Sequence, residues 1–216
     1  MIVLGAGGFA QELIDILVVD YKYTKETLFF FDEIDNTKKS FYGFKILHSI
    51  KEAEHIFKNI SNEFCLGVGT PKARYDLFNK FEQVGGKPKS IFSSNSIIGL
   101  FDVKIGDGSC IMSNATISNG VIIGEGTLIN ADVLAGHDVT IGNFSDISPG
   151  VKLTGFCQIG NYVSVGTEVV VLPKVKIGDN SFIAAGSIVA NDIPENSMVV
   201  GIVPSRVVKK LPEFEI

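Results

Sequence analysis

The sequence is poor in the residues that mark disulfide-stabilised and metal-binding proteins. Among its 216 residues there are only three cysteines and three histidines. The cysteines, Cys65, Cys110 and Cys157, are odd in number and far apart, so they give neither a disulfide framework nor a CxxC motif. We expect them to be buried thiols in a reducing compartment.

Long apolar runs and a basic surface are also absent. No apolar segment approaches the ~20 residues that span a bilayer. The apolar segment before the first glycine has only four residues, which is too short for a signal-peptide core. The formal net charge of −5 argues against a nucleic-acid partner. Lysines and arginines form no polybasic run that would bind a membrane surface. These features predict a cytoplasmic protein.

What the chain does contain is a six-residue repeat from Val103 to Val189. Every sixth residue from Ile105 is Ile, Leu or Val in fourteen of fifteen cases, and Ala135 is the exception. Four positions later, the column from Ser109 to Ser187 contains only Ser, Ala, Val, Thr and Cys. Five Ile-Gly pairs recur every 18 residues, and we expect their glycines at corners that need tight bends or positive φ. These pairs are Ile105-Gly106, Ile123-Gly124, Ile141-Gly142, Ile159-Gly160 and Ile177-Gly178.

A period of six fits neither an α-helix nor a lone alternating strand. It suits a short strand followed by a turn, with one large and one small side chain pointing inward. The higher period of 18 indicates three such faces in each coil. The repeat therefore predicts a triangular solenoid of stacked coils, and a purely structural solenoid is an open alternative.

Residues 1–95 have a different character, because short strands alternate with helices. This pattern predicts a small parallel sheet of three or four strands. The solenoid then occupies residues 96–190, and residues 191–216 form a tail with a short basic segment. Strands are expected at 2–4, 28–31 and 64–66, and helices at 11–19, 49–57 and 72–82.

A glycine turn, Gly5-Ala6-Gly7-Gly8-Phe9-Ala10, matches GxGxxA between the first strand and the first helix. Such a turn can hold a pyrophosphate, and Asp32 after the second strand can bond a ribose hydroxyl. A dinucleotide fold needs two βαβαβ halves, but the solenoid begins where the second would stand. A nucleotide diphosphate attached to another group therefore fits better than NAD. A turn that only lets helix and strand pack closely is the alternative.

His137 differs from the other two histidines in its position. It follows Ala135-Gly136 in the one irregular hexad, stands outside the interior columns and precedes Asp138. His is the commonest general base near neutral pH, so His137 is a candidate base, with an ordinary surface residue as the alternative. His48 and His55 are expected to be solvated. A zinc site in such a solenoid needs three histidines, so no metal is expected.

The pairing of GAGGFA with a solenoid carrying Ala-Gly-His137-Asp138-Val-Thr-Ile-Gly resembles a known family. This is the bacterial sugar acetyltransferase family related to the sialic acid O-acetyltransferase. Within it, the chain is similar to N-acetyltransferases acting on UDP- or dTDP-linked 4-amino-6-deoxy sugars. The resemblance covers nearly the whole chain. It implies an α/β N-terminal Rossmann-like half domain followed by an all-β left-handed parallel β-helix, a homotrimer, and acetyl-CoA in a cleft between neighbouring solenoids.

The resemblance also implies roles for individual residues. His137 matches the catalytic base, with Asp138 beside it and Asn130 one hexad earlier. Nucleotide-sugar contacts map onto Gly7, Gly8, Phe9, Asp32, Glu33 and Gly69. Coenzyme A contacts map onto Asp146, Gly155, Thr167, Ala185 and Gly201. Gly201 opens Gly201-Ile202-Val203-Pro204-Ser205-Arg206, which is similar to the family's Gly-x-Pro-Ala-Lys segment near the adenine, with an inserted residue and Ser-Arg replacing Ala-Lys.

The chain departs from close relatives at Asp146, where they have a second His near the thioester. An ionised Asp can accept a hydrogen bond but cannot donate one. The implied reaction is direct acetyl transfer to an amine for surface glycan synthesis. His137 accepts the proton, Asp138 orients its ring, and a backbone N–H stabilises the oxyanion. An O-acetyltransferase acting on sialic acid or another sugar hydroxyl is the second hypothesis, and a non-catalytic solenoid is the third.

Overall fold

The computed structural model describes residues 1–201 and 206–213, which form two units in contact. The N-terminal unit contains a six-stranded sheet in which strand β1 is near the centre. Its strands are β1 (Ile2–Leu4), β2 (Phe29–Phe31), β3 (Ser40–Phe41), β4 (Phe44–Leu47), β5 (Glu63–Leu66) and β6 (Lys87–Pro88). The order is β3-β4-β2-β1-β5-β6, and all neighbours are parallel except the hairpin β3-β4.

Three helices cover this sheet, namely α1 (Gly8–Val19), α2 (Ile50–Asn59) and α3 (Pro71–Gln83). The predicted helices and the three predicted strands are confirmed, with ends shifted by a few residues. The sheet is nevertheless larger than the three or four strands expected. Strands β3 and β6 were missed because two residues are too few to show an alternating pattern, and β4 was missed as well.

The second unit is a parallel β-helix with three faces, each a parallel sheet of two-residue rungs. Face 1 consists of β7 (Ile91–Phe92), β10 (Cys110–Ile111), β13 (Leu128–Ile129), β16 (Asp146–Ile147), β19 (Ser164–Val165), β22 (Phe182–Ile183) and β24 (Ser197–Val200), with β25 (Arg206–Lys210) added antiparallel to β24. Face 2 consists of β8 (Ile97–Ile98), β11 (Thr116–Ile117), β14 (Leu134–Ala135), β17 (Lys152–Leu153), β20 (Val170–Val171) and β23 (Ile188–Val189). Face 3 consists of β9 (Lys104–Ile105), β12 (Ile122–Ile123), β15 (Thr140–Ile141), β18 (Gln158–Ile159) and β21 (Lys176–Ile177).

The interior of the solenoid is formed by the two columns that the repeat predicts. The aliphatic residue of each hexad stacks on its equivalent 18 residues away, as Ile123 does on Ile141. The small residue four positions later is buried as well, from Ser109 to Ser187. These side chains make one continuous apolar core. The predicted triangular solenoid is confirmed.

The glycines of the Ile-Gly pairs were expected at corners that need a tight bend or a positive φ, but the structure requires them for the close approach of successive coils. None of the five has a positive φ. A Cβ on Gly142 would lie 2.6 Å from the backbone N of Asn161 in the next coil. These glycines therefore allow close approach of successive coils. Positive φ occurs two residues later, at positions that include Gly126, Phe144 and Tyr162.

The solenoid extends beyond the repeat at both ends. Phe92 pairs with Ile111 and Ile98 with Ile117, so the first coil begins at Ile91, within the predicted N-terminal region. These pairs are 19 residues apart, because one extra residue lies between Ile98 and Ile105. At the other end Val199 pairs with Ile183, a spacing of 16. Both changes of spacing hide the terminal coils from a search for strict hexads.

The N-terminal unit packs on the first coils of face 1. Cys110 and Leu128 point out of the solenoid, yet they are buried in a cluster with Leu17 and Cys65. Phe144, at a corner of the third coil, packs edge-on against Phe78 of α3, with ring centroids 5.2 Å apart. All three cysteines are free and buried, as expected.

Arg74 of α3 joins the two units through its guanidinium. The side chain is fully buried. Its Nε donates to the carbonyl of Gly126 in the solenoid at 2.6 Å, and its Nη1 donates to the carbonyl of Val68 at 2.7 Å. Val68 belongs to the turn that follows β5. Arg74 therefore fixes the position of this turn relative to the solenoid.

We predict that Arg74→Met lowers the free energy of unfolding by about 3 kcal/mol, because two buried carbonyls lose charged donors. Lys80→Met, on the same helix, removes an exposed ion pair with Glu33 and should cost no more than about 1 kcal/mol. Denaturant unfolding at one protein concentration measures both. Equal losses in the two variants would contradict the role given to Arg74.

Candidate active site

His137 lies at a corner of the solenoid between β14 and β15, which we call corner 2–3. Its Nδ1 is 2.9 Å from Oδ2 of Asp138, and 63% of its side chain is exposed. With Asp138 ionised, Nδ1 is the donor of this bond. Nε2 then carries the lone pair that a general base needs. The predicted pairing of these two residues is thus present in the geometry.

The next coil holds the His137 ring in place. A Cβ on Gly155 would lie 2.7 Å from Nε2, so the ring in this orientation packs directly against the glycine. The ring of Phe156 meets the imidazole edge-on, with centroids 4.9 Å apart. Gly155, predicted to contact coenzyme A, is therefore directly beside the candidate base.

Asn130, directly after β13, and Asp146, in β16 of face 1, form a second polar pair. Asn130 Nδ2 donates to Oδ1 of Asp146 at 3.0 Å and to the carbonyl of Ile147 at 3.1 Å. Oδ2 of Asp146 lies 4.0 Å from the position that a Cβ on Gly69 would occupy. Asp146 is thus at the junction of the solenoid with the turn after β5, on a different part of the coil from His137.

The carboxyl group of Asp146 titrates far from its ordinary range. Burial raises its pKa from 3.8 to about 6, and this effect exceeds the opposing effects of the Arg74 charge and of the Asn130 hydrogen bond. Asp146 is therefore ionised at neutral pH but only at an energetic cost. Arg74 is the cation that offsets part of this cost.

The glycines of the first turn, together with Gly67 in the adjacent turn after β5, divide into two kinds. A Cβ on Gly5 would lie 2.8 Å from the carbonyl oxygen of Gly67, and one on Gly67 would lie 2.6 Å from a methyl of Val3. These two glycines serve close packing. A Cβ on Gly7 or Gly8 would meet nothing within 4 Å. Close packing therefore explains Gly5, whereas Gly7 and Gly8, at the start of α1, leave space for a ligand.

The start of α1 suits an anion. Its N-cap, Gly7, provides no side-chain hydrogen bond, and the first turn carries no acidic residue. The backbone N–H groups of the first turn and the positive end of the helix dipole are therefore available to a phosphate. Phe9 is half-buried in this turn and packs on the core of the unit.

A cleft of about 280 Å³ opens beside this turn, at the carboxyl ends of β1, β2 and β5. Gly5, Asp32, Glu33 and Val68 are among its lining residues. Oδ1 of Asp32 accepts the N–H of Ile34 at 2.9 Å, so this oxygen stabilises the loop that contains Asp32. The predicted nucleotide-sugar residues Asp32 and Glu33 thus line one cleft.

His48 braces the same loop and is not simply solvated, as the sequence suggested. It is half-buried, and its Nδ1 and Nε2 lie 2.6 and 2.8 Å from the carbonyl oxygens of Asp32 and Lys38. The contacts come from backbone that is distant in sequence, which explains why the pattern around His48 gave no sign of them. His55 is exposed, as expected.

The remaining coenzyme A residues stack at another corner, between faces 1 and 2, which we call corner 1–2. The N–H of Gly186 donates to the carbonyl of Thr167 at 2.8 Å, which stacks Ala185 on Thr167. Asn130 occupies the same corner in an earlier coil. Gly155 and His137 lie at corner 2–3, so the whole width of face 2 separates the two groups. Gly201 is described, whereas residues 202–205 of the predicted adenine segment and the Arg206 side chain lie outside the described residues.

A cleft of about 550 Å³ between face 1, the start of α3 and the tail was not predicted. Ser164, Phe182 and Met198 form its floor, and Leu211 and Pro212 line it from the tail side. Asp146 stands one rung above Ser164 in the same outward column. The cleft therefore begins next to Asp146. The cleft forms only when distant parts of the chain come together, so no local sequence motif indicates it.

Residues 1–201 and 206–213 contain no group of three or more His, Cys, Asp or Glu side chains placed to hold a metal ion. In the same part of the chain, no helix has the length and apolar character needed to cross a membrane.

Two family models match the chain. The PglD N-terminal domain matches residues 1–81, and the bacterial transferase hexapeptide (six repeats) matches residues 156–191. Among curated proteins, galactoside O-acetyltransferase of Escherichia coli is 55% identical over 53 residues. This segment is 24% of the present chain and spans only 26% of that relative's length.

Solved structures cover nearly the whole chain. A variant of perosamine N-acetyltransferase from Caulobacter crescentus, in complex with CoA and GDP-perosamine, superimposes with a TM-score of 0.88 at 20% identity, over 96% of each chain. The acetyltransferase domain of PglB from Neisseria gonorrhoeae gives 0.86 at 24% identity, over 96% of this chain and 98% of that one. The fold is accordingly an α/β Rossmann-like half domain followed by a left-handed parallel β-helix, as expected.

The raised pKa of Asp146 predicts a pH-dependent effect on stability. Between pH 4 and 6 the folded protein retains a proton that the unfolded chain has lost, so stability falls as the pH rises through this window. Above pH 6 the full penalty, about 3 kcal/mol, is present. Asp146→Asn should therefore unfold at higher denaturant concentration than the parent at pH 7.5. The two should converge below pH 4, and a difference independent of pH would contradict the assignment.

Proposed function

We propose that the protein is an acetyl-CoA-dependent N-acetyltransferase that acts on a nucleotide-linked amino sugar. The observation that carries this proposal is the His137–Asp138 pair, whose imidazole is largely exposed on a solenoid corner. A structural solenoid does not need a histidine oriented by a carboxylate and a glycine that makes room for it. The open turn at Gly7 and Gly8 supplies a place for the nucleotide diphosphate.

In the proposed reaction, the amine nitrogen attacks the thioester carbonyl carbon of acetyl-CoA. Nε2 of His137 accepts one proton of the amine, and Asp138 stabilises the imidazolium that forms. The C–S bond then breaks, and the proton leaves with the coenzyme as its thiol. A backbone N–H at corner 2–3, close to Gly155, stabilises the oxyanion. Because the amine itself attacks, no side-chain nucleophile is required, and positioning supplies much of the acceleration.

We further propose a homotrimer whose sites lie between neighbouring copies. The candidate residues occupy two corners of one chain, and face 2 lies between them. A neighbouring copy can bring its corner 2–3, with His137, to corner 1–2 and the nucleotide turn of this chain. Exposed apolar side chains at corner 2–3 and on face 2, including Ile97, Leu100 and Phe101, support a contact there.

Coenzyme A would run along this junction. Thr167 and Ala185 stack in one column at corner 1–2, and Gly155 stands at the opposing corner, which suits an extended ligand parallel to the solenoid axis. The free, buried thiols fit the reducing cytoplasm, where we place the protein. The sugar product would serve surface glycan synthesis.

Acetyl transfer to a sugar hydroxyl is the second candidate function, because galactoside O-acetyltransferase shares a segment of high identity with this chain. Thiol release from acetyl-CoA distinguishes the two functions. We expect release with UDP-, dTDP- or GDP-linked 4-amino sugars and none with sialic acid or galactosides. Release with the hydroxyl acceptors alone would replace the proposal by the second candidate, and no release with any acceptor would remove both.

In the same assay, His137→Ala should lower kcat by about 10²- to 10⁴-fold, because the amine loses its general base. Coenzyme A binding, measured by calorimetry, should stay near normal. His55→Ala is a matched control, since His55 is exposed on α2 of the N-terminal unit. An unchanged kcat in His137→Ala would exclude this residue from the chemistry.

The shared site predicts complementation between two inactive variants. Gly7→Val should block the nucleotide turn without disturbing the fold, because nothing lies within 4 Å of the added Cβ. Differently tagged His137→Ala and Gly7→Val chains are co-expressed, and assemblies carrying both tags are purified. We expect activity well above that of either variant alone. Activity no higher than that of the two single variants would show that His137 serves the nucleotide turn of its own chain.

A further inference from the structure

We propose that Asp146 is a specificity-determining residue that selects an amine over a hydroxyl acceptor by accepting the N–H that the amine keeps throughout the reaction. This inference rests on the proposed function and concerns the acceptor side of the same site. It assigns Asp146 to the acceptor rather than to the thioester contact implied by its relatives.

The two oxygens of Asp146 have different surroundings. Oδ1 accepts the Asn130 amide at 3.0 Å and is held by it. Oδ2 faces Gly69, where the missing side chain leaves open space at the end of β5. Val68, the preceding residue, lines the cleft at the carboxyl ends of the sheet. A nucleotide bound in that cleft would therefore extend its sugar past Gly69 towards Oδ2.

The number of hydrogens on the nucleophile decides what Oδ2 can select. A neutral primary amine has two: one passes to Nε2 of His137 as the C–N bond forms, and the other remains on the amide product. The second hydrogen can be donated to Oδ2 from the bound state to the product. A hydroxyl has one hydrogen, which the base must take, so its oxygen would then face the carboxylate with lone pairs only. Asp146 thus favours the amine and opposes the alkoxide-like oxygen.

The surroundings keep Asp146 in the required form. The Arg74 guanidinium supplies the compensating charge, and it is itself fixed by the carbonyls of Val68 and Gly126. With a pKa of about 6, the carboxyl group is ionised at pH 7.5 and acts only as an acceptor. A histidine in place of Asp146 could donate a hydrogen bond as well as accept one, so it would discriminate less between the two acceptors.

Asp146→Asn tests the inference with little change of shape. Since Asn130 donates to the Oδ1 position, the new amide places its carbonyl there and its NH₂ towards the acceptor. We compare kcat/KM for a nucleotide-linked 4-amino sugar and for its 4-hydroxyl counterpart at pH 7.5. The amine-to-hydroxyl ratio should fall at least about tenfold, through loss with the amine and none with the hydroxyl sugar. Asp146→His should lower the ratio less, because His retains an acceptor.

Asp179→Asn is the matched control. It neutralises an exposed Asp at a solenoid corner where earlier coils carry Asn143 and Asn161, each accepting a backbone N–H as Asp179 does. Its selectivity ratio should equal that of the parent. An unchanged ratio in Asp146→Asn, with both acceptors slowed equally, overturns the inference and leaves the proposed function standing. A parent enzyme that acetylates no nucleotide-linked acceptor overturns both.

Discussion

The buried guanidinium of Arg74 is the contact on which the spatial relation of the two units depends. A carbonyl of the β5 turn and a carbonyl of the solenoid are held by one rigid, planar group, so these two segments keep a fixed separation. The β5 turn that lines the cleft of Asp32 and Glu33 is thus held beside the coils that carry Asp146. The same charge partly offsets the burial of Asp146. Arg74 therefore contributes to both the geometry and the electrostatics of the junction.

Asp146 shows how a chain can accept an unfavourable group where function needs it. Burial raises its pKa, so ionisation near neutral pH works against folding. A neutral residue of similar shape, such as asparagine, would be easier to bury at this position. The retained carboxylate is understandable if its ionised oxygen contacts the acceptor. Strained or costly groups of this kind concentrate at functional sites.

Periodicity predicted the coils well, because each hexad repeats the same demand for one large and one small interior residue. The sequence could not reveal the first and last coils, where spacings of 19 and 16 break the period. His137 and Asp138 were found because they are adjacent and interrupt a regular column. Arg74 and His48 were not, since their partners are backbone carbonyls 6 to 52 residues away, and contacts with backbone leave no side-chain pattern in the sequence. The pairing of Asn130 with Asp146 likewise exists only after one coil stacks on another.

The strand that follows the last coil has a consequence for assembly. A stack of identical rungs ends in unpaired N–H and C=O groups, which invite further strands and end-to-end growth of the solenoid. On face 1, β25 runs antiparallel to β24 and occupies that edge. At the other end, the hydroxyl of Tyr21 contacts the backbone of Phe92, and the carboxylate of Asp20 accepts the N–H of Ser94. Face 1 is thereby covered at both ends, which opposes end-to-end growth of the solenoid through this face.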